Sequence, residues 1–172
     1  MSADAVYIGV HIRRADMVDD QKYTVADVRY FRRAVRFMMR KFPQQLVFVV
    51  CTDDIPWSRE NFPNVVSRAI NYETAGVHGN RSNHSNSDSV NKTTAKPRSV
   101  VVVFSEDRSA AEDLAILSSC NHTIMTVGTF GWWGGYLAGG LTVYYRNFPA
   151  KGFELYQHFS REDHFPPGWV GL

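Results

Sequence analysis

Short apolar runs rich in β-branched residues recur along the chain and are separated by longer, more polar stretches. Runs of this length bounded by turn-forming residues are typical of buried strands. The predicted strands cover residues 6–10, 46–51, 100–104, 123–127 and 141–145, with a further strand predicted at 65–70.

Three of the stretches between these runs carry helix signals. After the first run, apolar residues recur at steps of three and four, with Thr24 as the predicted cap and Pro43 as the end. Ser109 and Glu112 have the spacing of a capping box, which predicts a second helix start. Helix is also predicted at 130–137, with one turn at 153–158.

Alternating strands and helices predict an α/β fold, a Rossmann-like parallel sheet with helices on both faces. Ligands bind such sheets outside the carboxyl ends of the strands, which singles out the loops 11–16, 52–54, 105–109 and 126–131. The stretch 74–99 is rich in Asn, Ser, His and Thr, so we predict a long, disordered surface loop there.

The composition bounds the possible functions. The chain has 172 residues, 44% of them hydrophobic, enough for one domain over 1–172 with a proper core. A net charge of +2 without basic tracts among aromatics argues against a nucleic-acid partner. The apolar runs are too short to span a bilayer, so any membrane anchor is expected outside this sequence. Cys51 and Cys120 are predicted to be buried thiols, with a disulfide between them left open.

Two adjacent arginines follow the first predicted strand, in the sequence His11-Ile12-Arg13-Arg14-Ala15-Asp16. Guanidinium groups bind phosphate through paired, charge-assisted hydrogen bonds, and Asp16 can hold one arginine in place. A surface ion pair beside a turn explains the same residues, and the pattern alone does not decide between the two.

A glycine- and tryptophan-rich run occupies residues 126–135. Gly128 permits a tight turn, and Thr129 then stands at a helix N-terminus, where backbone N–H groups form an anion site. The alternative is a helix packed closely on its sheet through glycines, with two core tryptophans.

One acidic residue and one missing motif complete the candidate chemistry. Asp113 lies in the first turn of the predicted helix, where it can accept hydrogen bonds from guanine or simply complement the helix dipole. No Asp-x-Asp pair occurs, so the usual means of holding a divalent cation on a sugar nucleotide is missing. Asp53 and Asp54 are adjacent and point apart.

Four Asn-x-Ser/Thr sequences favour a secretory-pathway protein only mildly; they begin at Asn80, Asn83, Asn91 and Asn121.

Taken together, these segments resemble the α-1,2-fucosyltransferases (glycosyltransferase family 11). The stretch VHIRRAD at 10–16 resembles the family's His-x-Arg-Arg-Gly-Asp motif, and the stretch 113–124 resembles its second motif. The stretch TVGTFGWW at 126–133, followed by Tyr136 and Leu137, resembles the third. The order and spacing of the three also match.

The resemblance implies the C-terminal, donor-binding half of a GT-B glycosyltransferase, with the N-terminal acceptor domain and membrane anchor expected outside this chain. Arg13 would bind the β-phosphate of GDP-fucose, His11 would lie near the nucleotide, and Asp113 would contact guanine. Thr129 and Phe130 would line the phosphate site, and Arg14 belongs to the same donor-binding set. No metal is expected. The full protein would sit in the Golgi membrane, facing the lumen.

The implied reaction is inverting transfer of fucose to the 2-hydroxyl of a terminal galactose on a glycan, with Arg13 stabilising the departing phosphate. Asp16 would act as the base or orient an arginine. Ala15 replaces the family's glycine, so a positive φ there would be strained. Two other hypotheses stay open: a non-catalytic nucleotide-sugar or glycan-binding module, and a fucosyltransferase of another linkage.

Overall fold

The computed structural model describes residues 4–18, 24–78, 99–152 and 154–172, the side chains of 75–78 excepted. Within these residues six strands form one sheet. They are β1 (Ala5–Ile12), β2 (Gln45–Thr52), β3 (Val100–Phe104), β4 (His122–Met125), β5 (Thr142–Tyr144) and β6 (Val170–Gly171). Their order is β3-β2-β1-β4-β5-β6, and all neighbouring strands are parallel. The strand order therefore reverses between β1 and β4, which marks the ligand-binding position of such sheets.

Helices lie on both faces of this sheet, which confirms the predicted α/β fold. They are α1 (Val28–Lys41), α2 (Ile55–His78), α3 (Ala110–Ser118), α4 (Thr129–Ala138), α5 (Glu154–Gln157) and α6 (Arg161–His164). The first two pack against each other on one face, while α3 and α4 pack together on the other. Within the described part of the chain, no helix combines the length and the apolar character that a bilayer crossing requires.

Alternation along β1 divides the core from the functional edge. Ile8, Val10 and Ile12 are fully buried in the core that α1 and α2 cover. His11, which alternates with them, points to the opposite face and contacts the ring of Phe130 in α4. The strand thus anchors the sheet with one face and presents a polar side chain with the other.

The strand predicted at 65–70 is wrong, because these residues lie inside α2. Phe62, Val65, Val66 and Ala69 are buried at helical spacing, so the same apolar residues serve a helix face. The helix also includes 74–78, the start of the predicted polar loop, and residues 79–98 lie outside the described part. Strand β6 was not predicted, since two residues are too short to give a periodic signal.

The helix starts show how local chemistry sets the boundaries. Asp27, rather than the predicted Thr24, caps α1 by accepting hydrogen bonds from the N–H groups of Arg29 and Tyr30, both at 3.0 Å. The predicted capping box of Ser109 and Glu112 is confirmed at the start of α3. The helix predicted at 130–137 is confirmed as α4, and the predicted turn at 153–158 corresponds to α5.

Candidate functional site

A cavity of about 440 Å³ opens at the carboxyl edge of the sheet, beside β1, β2 and β4 and the N-termini of α3 and α4. It lies where the strand order reverses, the usual ligand position in open parallel sheets. Its lining residues are His11, Arg13, Met17, Cys51, Thr52, Asp53, Ala110, Asp113, Val127, Gly128, Thr129 and Phe130. Five of the predicted donor-binding residues are therefore brought together here, namely His11, Arg13, Asp113, Thr129 and Phe130.

Arg13 reaches the cavity from the end of β1 and is held by three neighbours. Its backbone N–H donates to the hydroxyl of Thr126 at 2.9 Å. Its guanidinium lies 2.6 Å from the Asp16 carboxylate and 3.1 Å from that of Asp53. The side chain is 41% exposed, so it presents an oriented positive charge that an anion in the cavity can reach.

Asp53 organises this loop, and the sequence analysis missed that role. One carboxylate oxygen accepts hydrogen bonds from the backbone N–H groups of Arg14 at 2.8 Å and Ala15 at 3.3 Å, while the other contacts Arg13. The loop after β2 therefore fixes the loop after β1. The sequence signal for this role is the acidic pair Asp53 and Asp54 directly after the second predicted strand.

Arg14 does not line the cavity. Its guanidinium lies 4.0 Å from the ring centroid of Trp57, and its Nε lies 3.5 Å from the Asp54 carboxylate. The side chain is only 16% exposed. Of the two adjacent arginines, one therefore serves the cavity and the other secures the start of α2.

Asp16 also lies outside the cavity lining, on an exposed part of the loop. Its 2.6 Å contact with Arg13 fits the orienting role, whereas its role as a base stays a prediction. In the described residues, Asp107 alone among non-glycines has a positive φ, at 53°. Ala15 is therefore free of the strain expected for a glycine replacement at a positive φ.

His11 is buried at the cavity wall in the neutral form. Burial is the main cause that lowers the pKa of His11 to about 4, with Asp53 raising it and Arg13 lowering it less strongly. Its ring centroid lies 5.4 Å from that of Phe130. A Cβ on Gly131 would lie 2.3 Å from the His11 Nδ1, so only glycine lets α4 approach this ring.

The N-terminus of α4 forms the opposite wall. Gly128 precedes the helix with φ 89°, and no side chain caps the first turn. Thr129, the first helical residue, is exposed, and Phe130 is half-buried. Free backbone N–H groups and the helix dipole make such a terminus favourable for an anion.

Asp113 approaches the cavity from the first turn of α3. Its carboxylate accepts a hydrogen bond from the hydroxyl of Ser105 at 2.6 Å. The neighbouring Cys51 is neutral, because burial and the charge of Asp113 raise the pKa of its thiol to about 12. Both cysteines are buried and free of a disulfide, which confirms the predicted thiols. Asp113 meets both interpretations, since it lies in a first helical turn and lines the cavity.

The packing alternative for the glycine- and tryptophan-rich run is partly right. Gly131, Gly134 and Gly135 are buried and pack α4 closely on its neighbours. Trp132 is half-buried, but Trp133 is 49% exposed and does not belong to the core. The glycines thus serve packing, while one tryptophan faces outward.

Comparison with known proteins identifies the family. Residues 2–172 match the family model of Glycosyl transferase family 11. The chain is 33% identical to galactoside alpha-(1,2)-fucosyltransferase 2 of Sus scrofa, over 99% of this chain and 42% of that protein. It is 34% identical to galactoside 2-alpha-L-fucosyltransferase SEC1 of Bos taurus, over 99% of this chain and 39% of that protein. The chain thus spans about two fifths of these curated relatives. With the match extending over nearly every residue, the chain belongs to glycosyl transferase family 11.

Proposed function

We propose that the protein is a galactoside α-1,2-fucosyltransferase that transfers L-fucose from GDP-fucose to the 2-hydroxyl of a terminal galactose. The observation that carries the proposal is the placement of Arg13 in one cavity with the uncapped N-terminus of α4. A guanidinium and a helix terminus are two independent means of binding a diphosphate. The relatives whose names state an α-1,2-fucosyltransferase support the choice of sugar and linkage.

Different residues of the cavity then bind different parts of the donor. Arg13 and the first turn of α4, including Thr129, bind the diphosphate. Asp113 accepts hydrogen bonds from the N1 and N2 groups of guanine, for which its position in the lining supplies the support. His11 and Phe130 form a wall beside the nucleotide, where a neutral imidazole avoids adding charge.

The reaction is a single displacement with inversion. The galactose 2-hydroxyl oxygen forms a bond to the fucose anomeric carbon while the bond from that carbon to the β-phosphate oxygen breaks. Negative charge grows on the departing GDP, and Arg13 stabilises it more in the transition state than in the ground state. The hydroxyl proton leaves to a base, for which Asp16 is this chain's candidate. We propose that no metal takes part, because Arg13 supplies the positive charge and the sequence lacks an Asp-x-Asp pair.

A transfer assay tests this proposal. The protein is incubated with GDP-fucose and a galactose-terminated acceptor, with and without a chelator, and the product linkage is determined. We expect an α-1,2-linked product whose yield the chelator does not change. Another linkage contradicts the specificity, and donor binding without transfer by the complete protein favours a non-catalytic binding module. We further propose that the reaction occurs in the Golgi lumen.

A further inference from the structure

The outer face of α4 exposes an apolar surface that the proposed donor site does not use. Trp133, Tyr136 and Leu137 are 49%, 53% and 54% exposed, respectively. They follow Thr129 at helical spacing, so all four residues lie on one face of the helix. We call the surface formed by Trp133, Tyr136 and Leu137 the α4 stripe. Exposed apolar surfaces of this kind mark interaction sites more often than isolated exposed residues do.

The α4 stripe begins at the cavity. Thr129 lines the cavity and Trp133 follows one turn later, with Tyr136 and Leu137 a further turn away. The ten residues of α4 extend about 15 Å. At the far end, a second cavity of about 320 Å³ lies between the end of α4 and the segment 166–169, with Tyr136 and Trp169 in its lining. The α4 stripe therefore extends from the cavity at the sheet edge to this second cavity.

The rings of the stripe hold one another in fixed orientations. Tyr136 stacks on Trp132 with centroids 5.0 Å apart and an interplanar angle of 12°. Trp133 meets these two rings edge-on, at 5.0 Å and 5.7 Å. Trp132 is itself fixed, because its indole N–H donates to the His164 carbonyl at 2.7 Å. Half-exposed rings that are already ordered lose little conformational entropy when a ligand covers them.

The chemistry of the stripe fits an uncharged partner. From Thr129 to Ala138 the helix sequence contains no Asp, Glu, Lys, Arg or His. Sugar rings carry C–H groups on their faces, which the negative faces of aromatic rings attract, and hydroxyls at their edges that stay in water. A nucleic acid or an acidic peptide would instead require basic residues here.

We propose that the α4 stripe binds the acceptor glycan beyond its terminal galactose, with Trp133 and Tyr136 as stacking platforms. This inference rests on the proposed function, because the glycan reaches the stripe only when its terminal sugar lies at the cavity. It makes Trp133 and Tyr136 determinants of acceptor length and leaves donor binding to the cavity. An oligosaccharide should therefore bind more tightly than a disaccharide with the same terminal galactose.

The test compares neutral, galactose-terminated di-, tetra- and hexasaccharides in calorimetric titrations of the GDP-saturated protein. We expect affinity to rise with length in the wild type, and Trp133→Ala or Tyr136→Ala to weaken hexasaccharide binding by about tenfold. Trp133→Phe should restore part of the loss. Tyr72→Ala removes a similarly exposed ring from α2 and should leave the hexasaccharide affinity unchanged.

Two results would overturn the inference. One is a hexasaccharide affinity that is the same in Trp133→Ala, Tyr136→Ala and the wild type. The other is a wild-type dimer that Trp133→Ala converts to a monomer, because a second copy would then cover the stripe. GDP affinity separates this inference from the proposed function, since Trp133→Ala should leave GDP binding unchanged. Failure of the wild type to bind GDP counts against the proposed function itself.

Discussion

The cavity and the α4 stripe meet at Thr129, yet opposite chemistry builds them. In the cavity, Arg13 is oriented by carboxylates and a hydroxyl that come from three different loops. On the stripe, Trp133 and Tyr136 are oriented by other rings, without a charged group along the helix. The difference matches the two proposals, in which charge binds the diphosphate of the donor and ring faces bind a neutral glycan.

The two faces of α4 make this division possible in ten residues. Gly131 and Gly134 let the inner face approach His11 and Leu117 closely. The outer face carries the exposed rings of Trp133 and Tyr136. We therefore expect substitutions on the inner face to change donor binding and substitutions on the outer face to change acceptor binding.

The largest effect is expected for Gly131→Ala, which breaks the cavity side. The new Cβ would lie 2.3 Å from the His11 Nδ1 of a buried ring, so the helix or the ring must move. We expect a loss of about 1–3 kcal/mol in the free energy of unfolding and loss of GDP binding, measured by denaturant titration and calorimetry. Gly134→Ala is the matched control, because its Cβ would meet the more adaptable Leu117 at 3.1 Å. Wild-type GDP affinity in Gly131→Ala would show that the close approach is not needed.

The next effect is a pH dependence of stability that belongs to the cavity. Folding lowers the pKa of His11 to about 4. The imidazole of His11 therefore stays neutral in the folded protein, whereas in the unfolded chain it takes up a proton below about pH 6.5. This difference in pKa has no effect on the free energy of unfolding above about pH 6.5 and lowers it progressively as the pH falls toward about 4. We expect the wild type to lose about 2 kcal/mol more than His11→Gln between pH 7.5 and pH 5. Equal losses in denaturant titrations of both proteins would contradict a buried neutral His11.

A smaller effect is expected at Asp53, where two variants sharpen the account of the cavity. Asp53→Ala removes the acceptor for the backbone N–H groups of Arg14 and Ala15, whereas Asp53→Asn keeps an acceptor oxygen. We expect GDP affinity to fall by about fivefold to tenfold in the alanine variant, and by less in the asparagine variant. If both variants lose the same affinity, the charge of Asp53 matters and its backbone contacts do not.

The sequence was sufficient for most of the fold because apolar periodicity reflects burial directly. It failed at 65–70, where Val65 and Val66 suit a strand as well as a helix face, and only packing against the neighbouring helix and sheet decides. The position of the ligand-binding edge followed from the strand–helix alternation. The strand order itself, which places β2 beside β1, requires the tertiary structure.

The candidate site was only partly predictable for a related reason. Motif residues such as Arg13 and Asp113 could be identified in the sequence and lie together at the cavity. The different environments of Arg13 and Arg14 could not be predicted from the sequence, because Trp57 and Asp53 approach them from another part of the chain. The exposure of Trp133 was equally hidden, since an apolar residue in a helix is usually taken to face the core.

The most direct measurement is a calorimetric titration of the protein with GDP, in wild type and in Arg13→Ala, with a chelator present. We expect wild-type binding that the chelator does not change and a loss of about tenfold to hundredfold in the variant, because a charge-assisted hydrogen bond contributes about 1.5–3 kcal/mol. Arg33→Ala, which removes an exposed arginine of α1, is the control and should bind as the wild type does. GDP binding that is equally strong in Arg13→Ala would contradict the assignment of this cavity as a phosphate-binding donor site.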